Sequence, residues 1–270
     1  MNLPDIMRTF TREAGDYAAK KQSSLIKADI QSKGGDPNNL FTNIDTENND
    51  LAVRMFSPFV AQGGIFIGEE SVKDAPTPKI TFSSGRDIIV VDPIDGTAPY
   101  IRQEASWGVI CTYLKAGVPN FSIIYLPAQG KWLEITPTGT TLRIYGDAVP
   151  TLSSLPYGAG TAANMSKSIP DLRTLAEANG FTQAYAPSAA EMTVNLATGD
   201  IGLIGLPAKV GLWDIGALMQ LVSLYGYSAV FEKTPRQQRV LGAGMFKPTW
   251  DLADNLLVTS RQSHKSLYAA

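Results

Sequence analysis

The stretch VVDPIDGTAPY, residues 90–100, constrains this chain more than any other. Apolar residues run straight into Asp92, Pro93, Ile94, Asp95, Gly96 and Thr97. In a continuing strand Asp92 and Asp95 would lie on opposite faces. Pro93 fixes its own φ and donates no ladder hydrogen bond, which predicts that the strand stops there. A turn can then fold Asp95 back beside Asp92 and expose the carbonyl of Ile94. Two carboxylates and a carbonyl are hard oxygen donors of the kind Mg²⁺ accepts. Gly96 permits close backbone approach, and a helical turn beginning at Thr97 would offer free N–H groups to an anion. Asp, Pro and Gly are also ordinary turn residues, so DP or DG alone would mean only a turn.

Other acids recur in comparable settings. Glu69 and Glu70 follow the apolar run IFIG directly, a second acidic strand end. Asp214, in GLWDIGAL, opens an apolar helical pattern, where an aspartate also serves as a cap for free N–H groups. Asp45, in FTNIDTEN, is open in the same way between a helix cap and a site acid.

The rest of the chain frames these acids. Its 270 residues suffice for a large core, as one domain or two packed halves, divided here at 1–150 and 151–270. A net charge of -2 without a long basic run gives no support to a nucleic-acid groove or a membrane-surface patch. No apolar run approaches the length of a membrane span, and the N-terminus has no signal-type core, so a cytoplasmic protein is expected. Cys111, the one cysteine, sits in WGVICTYL and reads as a small buried residue. His264, the one histidine, lies in a polar tail and supports neither a zinc site nor a triad.

Helical spacing covers residues 4–30 and 42–59, then 168–179, 188–198 and 214–225, with Gly226 as a stop. Strand-like runs fall at 65–67, 87–92, 107–114, 120–125 and 131–135, with further β-prone sequence over 136–156. IGLIGL reads as a buried strand, and VLGAGMF and NLLVTS flank a loop before a possible last one. Hairpins mixed with crossovers predict a layered, mixed α/β sandwich rather than regular βαβ alternation.

TNID (42–45), GEES (68–71), DPIDGT (92–97) and WDIGA (213–217), in that order, resemble the inositol monophosphatase family of Mg²⁺-dependent, lithium-sensitive phosphatases. The resemblance implies an αβαβα sandwich, often a homodimer, acting on a small phosphorylated metabolite. It implies two or three Mg²⁺ ions held by Glu69, Asp92, the Ile94 carbonyl, Asp95 and Asp214. Glu69 and Thr97 would then orient an attacking water, with Asp45 bonded to Thr97 and Glu70 in a supporting or third-metal role. Gly96 and Thr97 would offer N–H groups to the phosphate.

The substrate end departs from the family. Ala98, Pro99 and Tyr100 stand where Thr-Asn-Phe is usual, and Pro207 and Lys209 precede WD where an inositol-contacting acid is expected. A carboxylate suits a polyol by accepting from its hydroxyls, so inositol specificity is not implied. Ser188 and Glu191, in APSAAEM, are open between substrate contacts and a cap with its first-turn acid. Lys209 is a candidate pocket cation. The expected activity is hydrolysis of a small polar phosphate ester, inositol monophosphate-like or a sugar phosphate. Histidinol-phosphate and nucleotide 3′-phosphate are alternatives, and a phosphate-binding protein with little chemistry is the reading from another class.

Overall fold

The computed structural model describes residues 2–32, 40–72, 85–144, 162–165, 170–208, 210–231 and 254–259. The helices are α1 (Leu3–Gln22), α2 (Asn43–Ala61), α3 (Glu69–Val72), α4 (Thr97–Ile101), α5 (Pro170–Ala178), α6 (Ala189–Thr198) and α7 (Leu212–Tyr225). The first strands are β1 (Ile30–Ser32), β2 (Leu40–Thr42), β3 (Ile65–Gly68), β4 (Ile88–Asp95), β5 (Gly108–Lys115) and β6 (Val118–Leu126). There follow β7 (Lys131–Thr136), β8 (Gly139–Ile144), β9 (Ala162–Met165), β10 (Thr182–Gln183), β11 (Leu203–Leu206), β12 (Ser228–Phe231) and β13 (Leu256–Thr259). VLGAGMF and His264 lie outside the described residues, as does most of 136–156 beyond β8.

Two sheets organise the chain: β3-β4-β5-β6-β7-β8 and β10-β9-β11-β13-β12, with β1 and β2 a separate pair. The period-2 alternation of strand side chains makes the layers. Ile89, Val91, Val109, Cys111 and Ile123 pack with Met7, Phe10, Ala52 and Phe56 of α1 and α2. Their neighbours Ile88, Val90, Ile110 and Ile124 pack on the opposite face, with Leu212, Ile215 and Met219 of α7 and Val194 of α6. The same cluster takes in Ile204, Leu206, Leu256 and Val258 of the second sheet. The far face of that sheet, Leu203 and Leu257, meets Ala176 of α5. The order is helix, sheet, helix, sheet, helix, the expected αβαβα sandwich. Cys111 is fully buried, which pushes its thiol pKa up and makes it a core residue rather than a nucleophile.

Two local expectations are corrected. The first helix ends at Gln22 rather than near 30. Ser24 there turns its hydroxyl back onto the Lys21 carbonyl, and the Gln22 amide reaches the carbonyls of Tyr100 and Glu104. Nor does β4 stop at Pro93. Its register with β5 shifts between Asp92↔Ile110 and Asp95↔Gly108, and this bulge accommodates the missing donor. Among the described residues no helix is long and apolar enough to cross a membrane.

Candidate functional site

The bulge in β4 is where the acids meet. β3 and β4 run parallel with Gly68 opposite Val91, so both strands end at the same edge and Glu69 emerges beside Asp92. Within the bulge the Ile94 N–H donates to Asp92 Oδ1 at 3.0 Å, folding the chain so that Asp95 returns alongside. Behind this loop Ile94, Tyr100 and Trp107 are buried, Tyr100 and Trp107 edge to face at 4.8 Å, and the Tyr100 hydroxyl donates to the Ala18 carbonyl. Asp214 comes from the start of α7, across the central helical layer. Carboxylate oxygens of Asp92, Asp95 and Asp214 lie within 4.8 Å of one another. Glu69 acts electrostatically on all three and on Asp45, and Glu70 acts on Asp45. Carboxylates as far apart in the chain as Asp92 and Asp214, 122 positions, thus come together.

Helix starts hold this negative charge in place. Asp45 Oδ2 accepts from the Thr42 N–H at 2.8 Å and the Thr42 hydroxyl at 2.6 Å at the head of α2. Asp214 Oδ2 accepts from the Gly211 N–H at 2.6 Å at the head of α7. Asp95 Oδ2 accepts from the Ala190 N–H at 2.6 Å, with the Ala189 N–H and the Ser188 hydroxyl also bonding its carboxylate, at the head of α6. Three helices therefore direct the positive ends of their dipoles at the cluster. Asp45 and Asp214, open in the sequence between cap and site acid, each cap a helix; Asp214 also lies in the carboxylate cluster, and Asp45 also receives the Thr97 hydroxyl.

Burial is the largest cause raising each carboxyl pKa, to about 7 for Asp45 and Asp95 and about 8 for Asp214, and well upward for Asp92. Repulsion from Glu69 adds to each, and Asp92 and Asp214 share a hydrogen bond that requires a proton between them. The groups acting most strongly on these acids are other carboxylates and amide or hydroxyl donors; no basic side chain of the described residues figures among them. An all-oxygen cluster that repels itself without a cation fits a hard divalent ion such as Mg²⁺. A consequence follows for the metal-free protein. Groups whose folded pKa exceeds the unfolded value bind more protons when folded, so stability should fall as pH rises from about 4 to about 8. The slope is up to about 1.4 kcal/mol per pH unit for each such proton. Unfolding of chelator-treated protein at pH 5 to 8 checks this; stability that stays level or climbs over the range would contradict the mutual repulsion.

Thr97 opens α4 after Gly96 in the left-handed conformation, and its hydroxyl lies 3.2 Å from Asp45 Oδ1 and 3.1 Å from the Ile94 carbonyl. Ser188 caps α6, accepting from the Glu191 N–H at 3.1 Å. Glu191 takes the Ser106 hydroxyl on one oxygen and the Gln129 amide at 2.7 Å on the other. Lys209 lies outside the described residues. A cavity of about 590 Å³ is lined by Asp95 and Asp214 together with Asn164, Arg173, Tyr185, Leu206 and Pro207, among others. No sequence signal marked Asn164, Arg173 or Tyr185, since isolated polar residues form no local motif and only the fold brings them to one cavity lining. The Ala189 and Ala190 N–H groups escaped for a simpler reason: backbone donors leave no side-chain signature.

Comparison with known proteins agrees with this architecture. Residues 5–265 match the model of the inositol monophosphatase family. The inositol-1-monophosphatase of Bacillus subtilis strain 168 is 31% identical over 124 residues, 46% of this chain and 43% of that protein. A 2′AMP-bound SaIMPase-II superposes with a TM-score of 0.75 at 16% identity, covering 100% of this chain and 94% of that one. An IMPase/NADP phosphatase complexed with NADP and Ca²⁺ superposes with a TM-score of 0.74 at 15% identity, over 97% and 92% of the two chains. At these identities the two structures speak to the fold, and the family match extends over nearly the whole sequence. The chain belongs to the inositol monophosphatase family.

Proposed function

We propose that the protein is a Mg²⁺-dependent phosphomonoesterase that hydrolyses a small phosphate ester to inorganic phosphate and an alcohol. The observation that carries this is the convergence of Asp92, Asp95 and Asp214 within 4.8 Å, with Glu69 acting on all three and the Thr97 hydroxyl against Asp45 and the Ile94 carbonyl. Glu69, Asp92, Asp95, Asp214 and the Ile94 carbonyl would hold two or three Mg²⁺ ions. When bound, the ions neutralise phosphate charge, make water nucleophilic near neutral pH and steady the departing oxygen.

The remaining chemistry belongs to this chain. The Thr97 hydroxyl donates its proton toward Asp45 Oδ1 or the Ile94 carbonyl, which leaves its lone pairs to accept a hydrogen bond from the attacking water. Asp45, with a carboxyl pKa raised to about 7, is suited to accept that proton. Glu69, freed of its neighbours' repulsion by the cations, would orient the same water. Gly96 and Thr97 present backbone N–H groups to the phosphate. Water attacks phosphorus, the ester P–O bond breaks, and the alcohol leaves with a proton. Ser188 contributes through Asp95, which it helps to hold. We extend the reading to a cytoplasmic homodimer inhibited by lithium, properties that rest on family membership alone.

Phosphate release from inositol, sugar, histidinol and nucleotide phosphates tests the proposal. Turnover of at least one ester should require Mg²⁺ and vanish with a chelator. Phosphate esters that bind but are never cleaved would point instead to a binding protein on the same scaffold.

A further inference from the structure

Ser188-Ala189-Ala190-Glu191, at the head of α6, has the serine and the acid of a capping box. In that motif the acid turns back to the N–H of its own cap residue. Ser188 fulfils its part, accepting from the Glu191 N–H at 3.1 Å. The Glu191 carboxylate instead leaves the helix. One oxygen takes the Ser106 hydroxyl, from the segment between α4 and β5, and the other takes the Gln129 amide at 2.7 Å, from the turn after β6. The same Gln129 nitrogen reaches the Ala105 carbonyl at 3.3 Å, so that Glu191, Gln129, Ala105 and Ser106 close a ring of bonds. An ionised acceptor makes the two bonds to Glu191 stronger than neutral ones would be.

The segment that Glu191 grips packs against the acid-bearing loop. A Cβ added to Gly96 would stand 2.8 Å from the Ser106 carbonyl oxygen and 2.8 Å from the Ser188 Cβ. Two residues past Ser106, Gly108 has no side chain where α6 comes close: an added Cβ would lie 3.1 Å from the Ala190 Cβ. The head of α6 is therefore seated directly on this segment. From that head the Ala190 N–H reaches Asp95 Oδ2 at 2.6 Å, beside the bonds from the Ala189 N–H and the Ser188 hydroxyl. Glu191 itself does not line the cavity, although Ala189 and Met192 do. Nor is it among the groups acting most strongly on Asp92, Asp95 or Asp214.

We propose that Glu191 is a positioning residue for the acid cluster: by gripping Ser106 and Gln129 it fixes the head of α6, and with it the N–H groups that orient the Asp95 carboxylate toward a cation. The role deepens the phosphatase reading above and rests on it for the identity of the ion. Partners that orient a metal ligand without touching the metal commonly govern metal affinity, and their loss weakens it by about tenfold or more. Glu191 acts one step further out, through the helix whose N–H groups are those partners.

Calorimetric titration of Mg²⁺ into the wild-type protein, Glu191→Leu, Glu191→Gln, Ser106→Ala and the double variant Glu191→Leu/Ser106→Ala tests this without turnover. The Kd for Mg²⁺ should rise about tenfold in Glu191→Leu, the low end for an outer partner of a metal ligand. Glu191→Gln keeps an acceptor oxygen for Ser106 and should restore part of the loss. Ser106→Ala should lose less than Glu191→Leu, because the Gln129 bond remains. The double variant should bind no more weakly than Glu191→Leu, since the two residues act through one contact. Where an ester is turned over, KM at saturating Mg²⁺ should stay within about twofold of the wild-type value. A merely structural glutamate would lower the unfolding midpoint and leave the Mg²⁺ affinity alone. Unchanged affinity in Glu191→Leu, or additive losses in the double variant, would overturn the assignment, and a raised KM with unchanged affinity would make Glu191 a substrate contact instead. If Glu191→Leu does not fold, Glu191→Gln and Ser106→Ala decide: weaker Mg²⁺ binding in both supports the role, and wild-type affinity in both overturns it. Wild-type protein that binds Mg²⁺ but cleaves no ester would remove the phosphatase and leave the positioning role to these variants; wild-type protein that binds no Mg²⁺ would remove both.

Discussion

Asp95→Asn is expected to lower turnover by about a thousandfold or more, equivalent to about 4 kcal/mol of barrier, and yet to leave a folded protein. The two effects separate because Asp95 has two jobs. One oxygen seats α6 by accepting from the Ala190 N–H, a task the asparagine carbonyl keeps. The negative charge, which the proposed cations require, is lost. Removing it should also stabilise the metal-free protein. The Asp95 carboxyl pKa is raised from 3.8 to about 7, chiefly by burial, so holding it ionised at pH 8 costs on the order of 4 kcal/mol. Part of that should return in Asp95→Asn as a higher unfolding midpoint in chelator at pH 8, with the difference shrinking toward pH 5. Kinetics with Mg²⁺ and thermal unfolding without it check both halves. Near-normal activity would contradict the site assignment; an unfolded variant would mean that the charge itself seats α6.

That separation could not be drawn from the sequence, although the acids could. DPIDGT and GEE are legible because their donors lie on contiguous residues at the ends of apolar runs. Local chemistry alone then says that carboxylates collect there. Asp214 was legible as either a cap or a ligand, and only its position across the central helical layer shows that it is both a cap and a member of the cluster. The layers were readable for a related reason, since Ile88 to Val91 alternate between two cores. What escaped is what depends on long-range geometry. The bulge at Pro93 shows only in the pairing with β5, and the pocket lining is brought together by the second sheet, its loops and the neighbouring helices. Ser188 and Glu191 show the same limit from the other side. Their cap geometry was readable, whereas the partners Asp95, Ser106 and Gln129 were not.

The same dependence on geometry makes Gly96 a sensitive position although it carries no functional side chain. Its φ of +85° lies in the left-handed region, where an L-residue costs about 1–2 kcal/mol. A Cβ there would also stand 2.8 Å from the Ser106 carbonyl oxygen and 2.8 Å from the Ser188 Cβ. Neither neighbour yields easily: one is backbone, and Ser188 is 1% exposed while it caps α6 and bonds Asp95. The strain of Gly96→Ala should therefore pass through Ser188 to the Asp95 carboxylate. The expected result is a loss of about 2–4 kcal/mol in stability and of at least about a hundredfold in kcat. Gly226 provides the comparison, since it too is left-handed, at +66°, but nothing lies within 4 Å of an added Cβ. Gly226→Ala should cost only about 1 kcal/mol, with turnover preserved, because it closes α7 at the end away from Asp214. Chemical unfolding and kcat measured on both variants give the contrast directly. If Gly96→Ala behaves like Gly226→Ala, then the loop after Asp95 is not what holds the carboxylate against α6.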